Sequence, residues 1–176
     1  MMILREVVME DKDEILRLYQ EYLDAPPIPG IDMFEGVRNF EHLEELSFED
    51  WFKELDFNKD KSNLPPEFST QTTYLVEVDK NIVGMINVRW EKVPILMEFG
   101  GLIGYSIRPN SRGKGYANEM LRLGLIKLRD SGMKDFIVSC KDFNIPSKKV
   151  LEKNGGIYER GYDADDGYHY LIYHFD

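Results

Sequence analysis

The chain contains one cysteine, Cys140, so no internal disulfide can form and no thiolate cluster can hold a metal, which points to a reducing compartment. Cys140 closes an apolar run, where a thiol behaves as a small buried hydrophobe. Histidine is scarce as well: His42, His169 and His174 show no metal-ligand spacing, and no metal is expected. No stretch approaches the ~20 consecutive apolar residues of a membrane-spanning helix. The opening residues, MMILREVVMEDKDE, are acidic and lack the basic flank and cleavage site of a secretory signal. These absences predict a cytoplasmic protein without membrane association. Basic residues are outnumbered, 22 against 32 acidic, for a net charge of −10. Duplex affinity comes largely from cations that replace phosphate counterions, so no nucleic-acid partner is expected, and a cationic small molecule or peptide suits the charge better.

What is present describes one ordinary domain over residues 1–176. A composition of 43% hydrophobic and 31% charged residues suits a globular core, and the length is sufficient to bury one. ILREVV reads as a first strand, and Asp11 to Ala25 as a helix with Ile15, Leu18, Tyr22 and Leu23 on one side. Phe34, Val37, Phe40, Leu43 and Leu46 recur every three residues, and Ser47 offers an N-cap with an acid three positions on, so two short helices are expected over about 34 to 57. A polar, proline-broken loop covers Asn58 to Thr72. Three strands follow, TYLVEVD, NIVGMINVRW and GLIGYSIR, the first two joined by a tight DKN turn. Ala117, Met120, Leu121, Gly124, Leu125 and Leu128 mark an amphipathic helix that stops at Gly132. DFIVSC is a strand, Asn144 to Gly156 a capped short helix, and two strands around ADDG close the chain. This order is that of a mixed α/β layer fold.

Between the GLIGYSIR strand and the amphipathic helix lies RGKGYA, Arg112 to Ala117. The first amides of a helix have no intrahelical acceptor and carry the positive end of its dipole. Gly113 and Gly115 lack side chains that would hold an anion away, while Arg112 and Lys114 add cations, so a pyrophosphate suits the turn. The same letters also describe a plain glycine corner with solvent-facing cations, and the turn alone does not choose. A Walker-type loop fails because Gly115, not Ser or Thr, follows Lys114; a GxGxxG fingerprint fails because position 118 is Asn.

IGYSIRPNSRGKGYANEML resembles the central motif of the GNAT family of N-acetyltransferases, an apolar strand, a proline, then R/Q-x-x-G-x-G/A opening a helix. NIPSKKVLEKNGG resembles the family's second motif, Asn-x-x-Ser/Ala before a glycine near the end of a short helix. The resemblance covers residues 70 to 176 well and the first strand and helix loosely; IPGIDMFEGVRNF and the chain's ending look like a bacterial group of predicted acetyltransferases. It implies a mostly antiparallel central sheet of about six to seven strands flanked by helices and splayed between strands 4 and 5, with an acceptor-side segment near 25–72 and a cofactor core near 73–176. The implied co-substrate is acetyl-coenzyme A. Ser111, Gly113, Gly115 and Tyr116 would offer amides to its pyrophosphate, with Arg112, Lys114 and Ala117 completing the turn. Tyr105, Ser106 and Ile107 would run beside the pantetheine arm, the amide near Tyr105 polarising the thioester carbonyl, and Asn144, Ser147 and Lys148 would flank the arm. Two positions depart from the pattern: Asn110 stands where R/Q is usual, and Leu151 where a proton-donating tyrosine is frequent. Homodimers are common among such enzymes, and the resemblance alone raises that state for this chain.

Acetyl transfer needs a neutral amine, so a proton must be removed. Glu98, placed at the start of the strand that leads to the turn, is the candidate base; Tyr105, Tyr168 or Tyr170 is the candidate donor to the departing sulfur. Cys140 has no base beside it in sequence, so direct transfer is preferred over a covalent route. Between Glu35 and Asp60 nine acids face Arg38, Lys53 and Lys59, which suits a cationic acceptor or, equally, a solvated helix face. The readings that remain are an N-acetyltransferase acting on a small-molecule or peptide amine, a non-catalytic coenzyme A sensor prompted by Leu151, and an interaction protein whose turn binds nothing.

Overall fold

The computed structural model describes residues 1–26, 28, 36, 37 and 39–176. Strand β1 (Met2–Glu6) enters helix α1 (Lys12–Asp24) through a 3-10 turn, Met9–Asp11. Asp11 fixes that corner: its carboxylate accepts the Val8 amide at 2.8 Å and pairs with the Arg5 guanidinium at 2.7 Å. The buried residues of α1 are Ile15, Leu18, Tyr19 and Tyr22. Tyr19 takes the place expected of Leu23, which is 39% exposed, because 15, 18, 19 and 22 form one helical stripe and 23 turns out of it.

No helix spans 34 to 46 among the described residues, which hold a single 3-10 turn at Phe40–His42; Phe34 lies outside them. Val37, Phe40 and Leu43 are still buried. A strict spacing of three matches 3-10 geometry, where i and i+3 eclipse, better than the 3.6-residue period of an α-helix. Helix α2 (Phe48–Phe57) begins as expected, with Ser47 Oγ accepting the Asp50 amide at 3.1 Å and donating to the Asp50 carboxylate at 2.8 Å.

Strands β2 (Gln71–Val78) and β3 (Asn81–Arg89) form a hairpin whose Asp79 and Lys80 both have positive φ, 49° and 68°, as a type I′ turn requires. There follow β4 (Ile103–Ile107), α3 (Tyr116–Asp130), β5 (Phe136–Lys141), α4 (Ile145–Lys153), β6 (Ile157–Asp163) and β7 (His169–Phe175). The strands form two antiparallel sheets, ordered β1-β2-β3-β4 and β5-β7-β6. β4 and β5 thus close two separate sheets, which meet at the base, where the Leu102 amide donates to Ile137 O at 2.9 Å.

Two apolar clusters hold this arrangement. One joins both sheets to α3 and α4 through residues such as Ile86, Ile103, Leu125, Val138, Leu151 and Phe175. The other seats α1, α2 and Val37–Leu43 on the opposite face of the four-stranded sheet, around Trp51, Phe40 and Leu75. β2 and β3 are buried on both faces, so they read as near-continuous apolar runs. No helix of the described residues is long and apolar enough to cross a membrane.

Candidate active site

From β4 the chain makes a 3-10 turn, Pro109–Ser111, and reaches α3 through Gly113 and Gly115, at φ 75° and 81°. Both φ values lie in the left-handed region that glycine adopts without a Cβ penalty. A Cβ on either would meet nothing within 4 Å, so the space above them is open. Among the described residues, no hydrogen bond has the backbone amide of Gly113, Lys114, Gly115, Tyr116 or Ala117 as donor. The 15-residue α3 therefore presents its unpaired amides and its positive dipole end to open space. Ser111 does not belong to this row: its amide donates to Arg108 O at 2.8 Å, closing the turn. Only its side chain remains for a ligand. Lys114 is exposed, and the Arg112 guanidinium lies over the Tyr22 ring, 5.9 Å from its centroid, with Nε donating to Ile107 O at 3.4 Å.

The second motif comes to the same place from α4. Asn144 caps that helix, its Oδ1 accepting the Ser147 amide at 3.1 Å, and among the described residues its Nδ2 has no acceptor, so a donor is left for a ligand. The Tyr105 and Ser147 hydroxyls lie 2.8 Å apart, joining β4 to the first turn of α4. Leu151, one turn further on, is fully buried in the core. The Tyr105 hydroxyl thus reaches the first turn of α4 from β4.

On its other face β4 meets the α1 side. Tyr22 Oη donates to Ser106 Oγ at 2.9 Å, and burial pushes the Tyr22 phenol up to about 12, an effect only partly offset by the Ser106 hydrogen bond. Gly36 lies directly on the strand: a Cβ there would fall 2.2 Å from the Tyr105 amide nitrogen, and one on Gly104 would fall 2.5 Å from Gly36 Cα. Arg108 ends β4 inside a carboxylate pair, with Nε on Glu21 at 2.7 Å and Nη1 on Glu14 at 2.5 Å. A cleft of about 620 Å³ lined by Glu14, Arg17, Glu21, Arg108 and Lys114 flanks the turn on this side. Gly36, Glu21, Tyr22 and Arg108 are not among the residues that the sequence motifs single out. The seven-residue spacing of Glu14 and Glu21, two turns along one helix face, is the signal that could have found the carboxylate pair.

The family model for the acetyltransferase (GNAT) domain matches residues 2–157. The chain belongs to the GNAT acetyltransferase family. Solved GNAT structures share the fold at low identity. Mycobacterium smegmatis RimJ in complex with a CoA disulfide superposes with a TM-score of 0.70 at 19% identity, covering 99% of this chain and 81% of that one. Vibrio cholerae spermidine N-acetyltransferase with CoA and spermine gives 0.60 at 16%, covering 99% and 94%. RimL, a ribosomal L7/L12 α-N-protein acetyltransferase in complex with coenzyme A, gives 0.61 at 18%, covering 99% and 93%. No curated protein matches the sequence.

The remaining candidate residues lie on other elements. Glu98 is not on the strand before the turn but in a π-helical turn, Leu96–Gly100. Its backbone oxygen accepts Arg160 Nη2 at 2.6 Å. Its exposed carboxylate lies near Tyr162, whose phenol is pushed up by burial and then by the Glu98 charge. Tyr168 packs against Phe143 and Lys141, and Tyr170 Oη donates to Asp166 at 2.7 Å, so both are engaged away from β4. Within 35–60, Glu49, Asp50 and Asp56 are paired with Lys12, Lys53 and Lys59; Glu35 and Arg38 lie outside the described residues. Five described acids of the segment then have no lysine or arginine partner: Glu41, Glu44 and Glu45, all exposed, with Glu54, which accepts Asn39 Nδ2 at 2.7 Å, and Asp60, which accepts the Ser62 amide at 2.9 Å. Cys140 is buried. The histidines are dispersed, but His174 stands between Asp135 and Asp176 with potential ligand atoms within 4.8 Å of one another, a grouping that spacing along the chain does not reveal.

Proposed function

We propose that the protein is an acetyl-coenzyme A-dependent N-acetyltransferase that passes the acetyl group directly to a primary amine of a small molecule or peptide within a ternary complex. The observation that carries this reading is the row of unpaired amides from Gly113 to Ala117 under open space at the head of α3. Membership of the GNAT family supports it, as do relatives described with spermine or as acetylating a protein α-amine.

The bound co-substrate supplies an activated acetyl thioester. Gly113, Lys114, Gly115, Tyr116 and Ala117 donate amides to its diphosphate, and Arg112 and Lys114 add charge without a fixed fork. Ser111 contributes its hydroxyl only. In this reading β4 runs beside the pantetheine arm at Tyr105, Ser106 and Ile107, with the Asn144 Nδ2 donor, Ser147 and Lys148 across from it. An amide near Tyr105 polarises the carbonyl as an oxyanion-hole donor does. With Ser147 donating to the Tyr105 oxygen, the Tyr105 proton is directed at the departing sulfur. Glu98, which stands off β4 on the Leu96–Gly100 turn and has no cationic partner among the described residues, takes the amine proton through water.

Thermal shift with acetyl-coenzyme A, coenzyme A and ATP, followed by thiol release across an amine panel, tests the reading. Stabilisation by the first two together with amine-dependent thiol release is expected. Stabilisation without release for any amine contradicts the enzyme, and no stabilisation contradicts the site. Glu98→Gln is expected to lower kcat about 100-fold with little change in coenzyme A affinity; equal losses in both remove Glu98 from this role.

A further inference from the structure

Adjacent residues of α1 hold three residues of the segment that carries the glycine turn. The Glu21 carboxylate takes the Arg108 guanidinium in a two-pronged pair, at 2.7 Å from Nε and 2.5 Å from Nη2, and Asn110 lines the same cleft beside it. Tyr22 donates to Ser106 at 2.9 Å and supports the Arg112 guanidinium on its ring. The far side of Arg108 is fixed as well: its amide donates to Val83 O at 2.9 Å and its Nη1 to Ile82 O at 3.1 Å, where the register of β2 against β3 shifts. The side chains of Arg108 and Glu21 are only 15% and 27% exposed, and Tyr22 is fully buried. A fork-to-carboxylate pair in such surroundings sets direction as well as distance.

We propose that Glu21 and Tyr22 are positioning residues for the coenzyme A turn, clamping Ser106, Arg108 and Arg112 so that the amides of Gly113 to Ala117 converge on one diphosphate. The inference rests on the proposed function. It also gives a place to Asn110, whose side chain, shorter than the R/Q of the family pattern, lines the cleft beside Glu21. Because α1 ends at Asp24, at the start of the acceptor-side segment, the same clamp fixes that segment's origin relative to the turn. Neither residue touches the reacting atoms, so their loss acts on cofactor binding.

Coenzyme A affinity by calorimetry, KM for acetyl-coenzyme A, kcat and thermal midpoint are measured for the parent, Glu21→Gln, Tyr22→Phe and Lys12→Gln. The last breaks the exposed α1–α2 pair with Glu49 and leaves the clamp alone. Glu21→Gln is expected to weaken coenzyme A about tenfold and Tyr22→Phe about threefold, with KM rising in step and kcat at saturation held within about twofold. Lys12→Gln is expected to match the parent. Unchanged affinity in Glu21→Gln and Tyr22→Phe overturns the clamp, as does an equal loss in Lys12→Gln, which marks a general loosening of α1. If Glu21→Gln does not fold, Tyr22→Phe decides, since it removes a single hydroxyl. A parent that does not bind coenzyme A overturns the proposed function and this inference together; a parent that binds with variants that do not differ overturns this inference alone.

Discussion

At Gly115 a Cβ would meet no protein atom, yet φ is 81°. Substitution there separates two quantities that usually move together. Gly115→Ala places an L-residue in the left-handed region, at a stability cost of about 1 kcal/mol, without steric conflict in the free protein. The added methyl stands in the space assigned to the diphosphate, so coenzyme A affinity is expected to fall at least about tenfold. Chemical denaturation and calorimetry on the same variant read the two effects; loss of stability with intact affinity means the turn is only a corner. Glu21 carries a pH signature. The Arg108 hydrogen bond is the largest influence on its carboxyl and holds it below the ordinary 4.5. A depressed folded value means that the pair's stabilisation is complete above 4.5 and is lost as pH falls through the lower folded value. Its size is about 2 kcal/mol, between exposed and buried pairs. Denaturation of parent and Glu21→Gln is expected to differ by that amount at neutral pH and to converge in acid; a constant gap places the effect in packing. These residues are unevenly legible in the sequence. Gly113, Gly115 and Asn144 announce themselves because glycine punctuation and caps are local. Glu21 and Tyr22 do not, because their partners lie 84 to 87 positions away.

Elements are legible where one local rule governs them. Ser47 opens α2, Asp79 and Lys80 turn the β2–β3 hairpin, and Asn144 caps α4. They are obscure where tertiary contact decides. The threefold spacing of Val37, Phe40 and Leu43 predicts burial correctly but not an α-helix, because those side chains are drawn down onto α1 and α2 around Trp51. Amides that bond across strands carry no local signal, so the removal of Glu98 to a π-helical turn does not show in the letters, and the parting of β4 from β5 is conveyed only by the family resemblance. The contact of Gly36 with Gly104 and Tyr105 is the element-scale feature closest to the chemistry. It brings the acceptor-side segment onto the amide assigned to the thioester carbonyl. Gly36→Ala has no room for its methyl, and the segment must lift away. Its expected signature is a fall of about tenfold or more in kcat/KM for the amine with coenzyme A affinity retained. Equal loss of cofactor affinity, measured by calorimetry, means that the contact supports β4 as a whole.

Across the molecule, the two apolar clusters divide labour. The core shared by both sheets with α3 and α4 carries the glycine turn and the Asn144 cap, while the cluster beneath α1 and α2 carries Val37, Phe40 and Leu43 of the segment proposed to face the acceptor. β4 lies between them and presents Tyr105 to one and Ser106 to the other. That placement explains why the family resemblance, carried by β4 through α4, conveys the cofactor side better than the acceptor side. The net charge of −10 gives the molecule a field opposed to the polyanionic co-substrate proposed for it, so under that proposal the recognition falls to the local cations and amides of the turn. The central claim is that the diphosphate rests on the amides of Gly113 to Ala117. An amide-resolved NMR titration with coenzyme A tests it most directly. The account predicts that the largest saturable shifts fall on Gly113, Lys114, Gly115, Tyr116 and Ala117, with Ser111 shifting less because its amide is already bonded to Arg108. Saturable binding that leaves those five amides unmoved contradicts it.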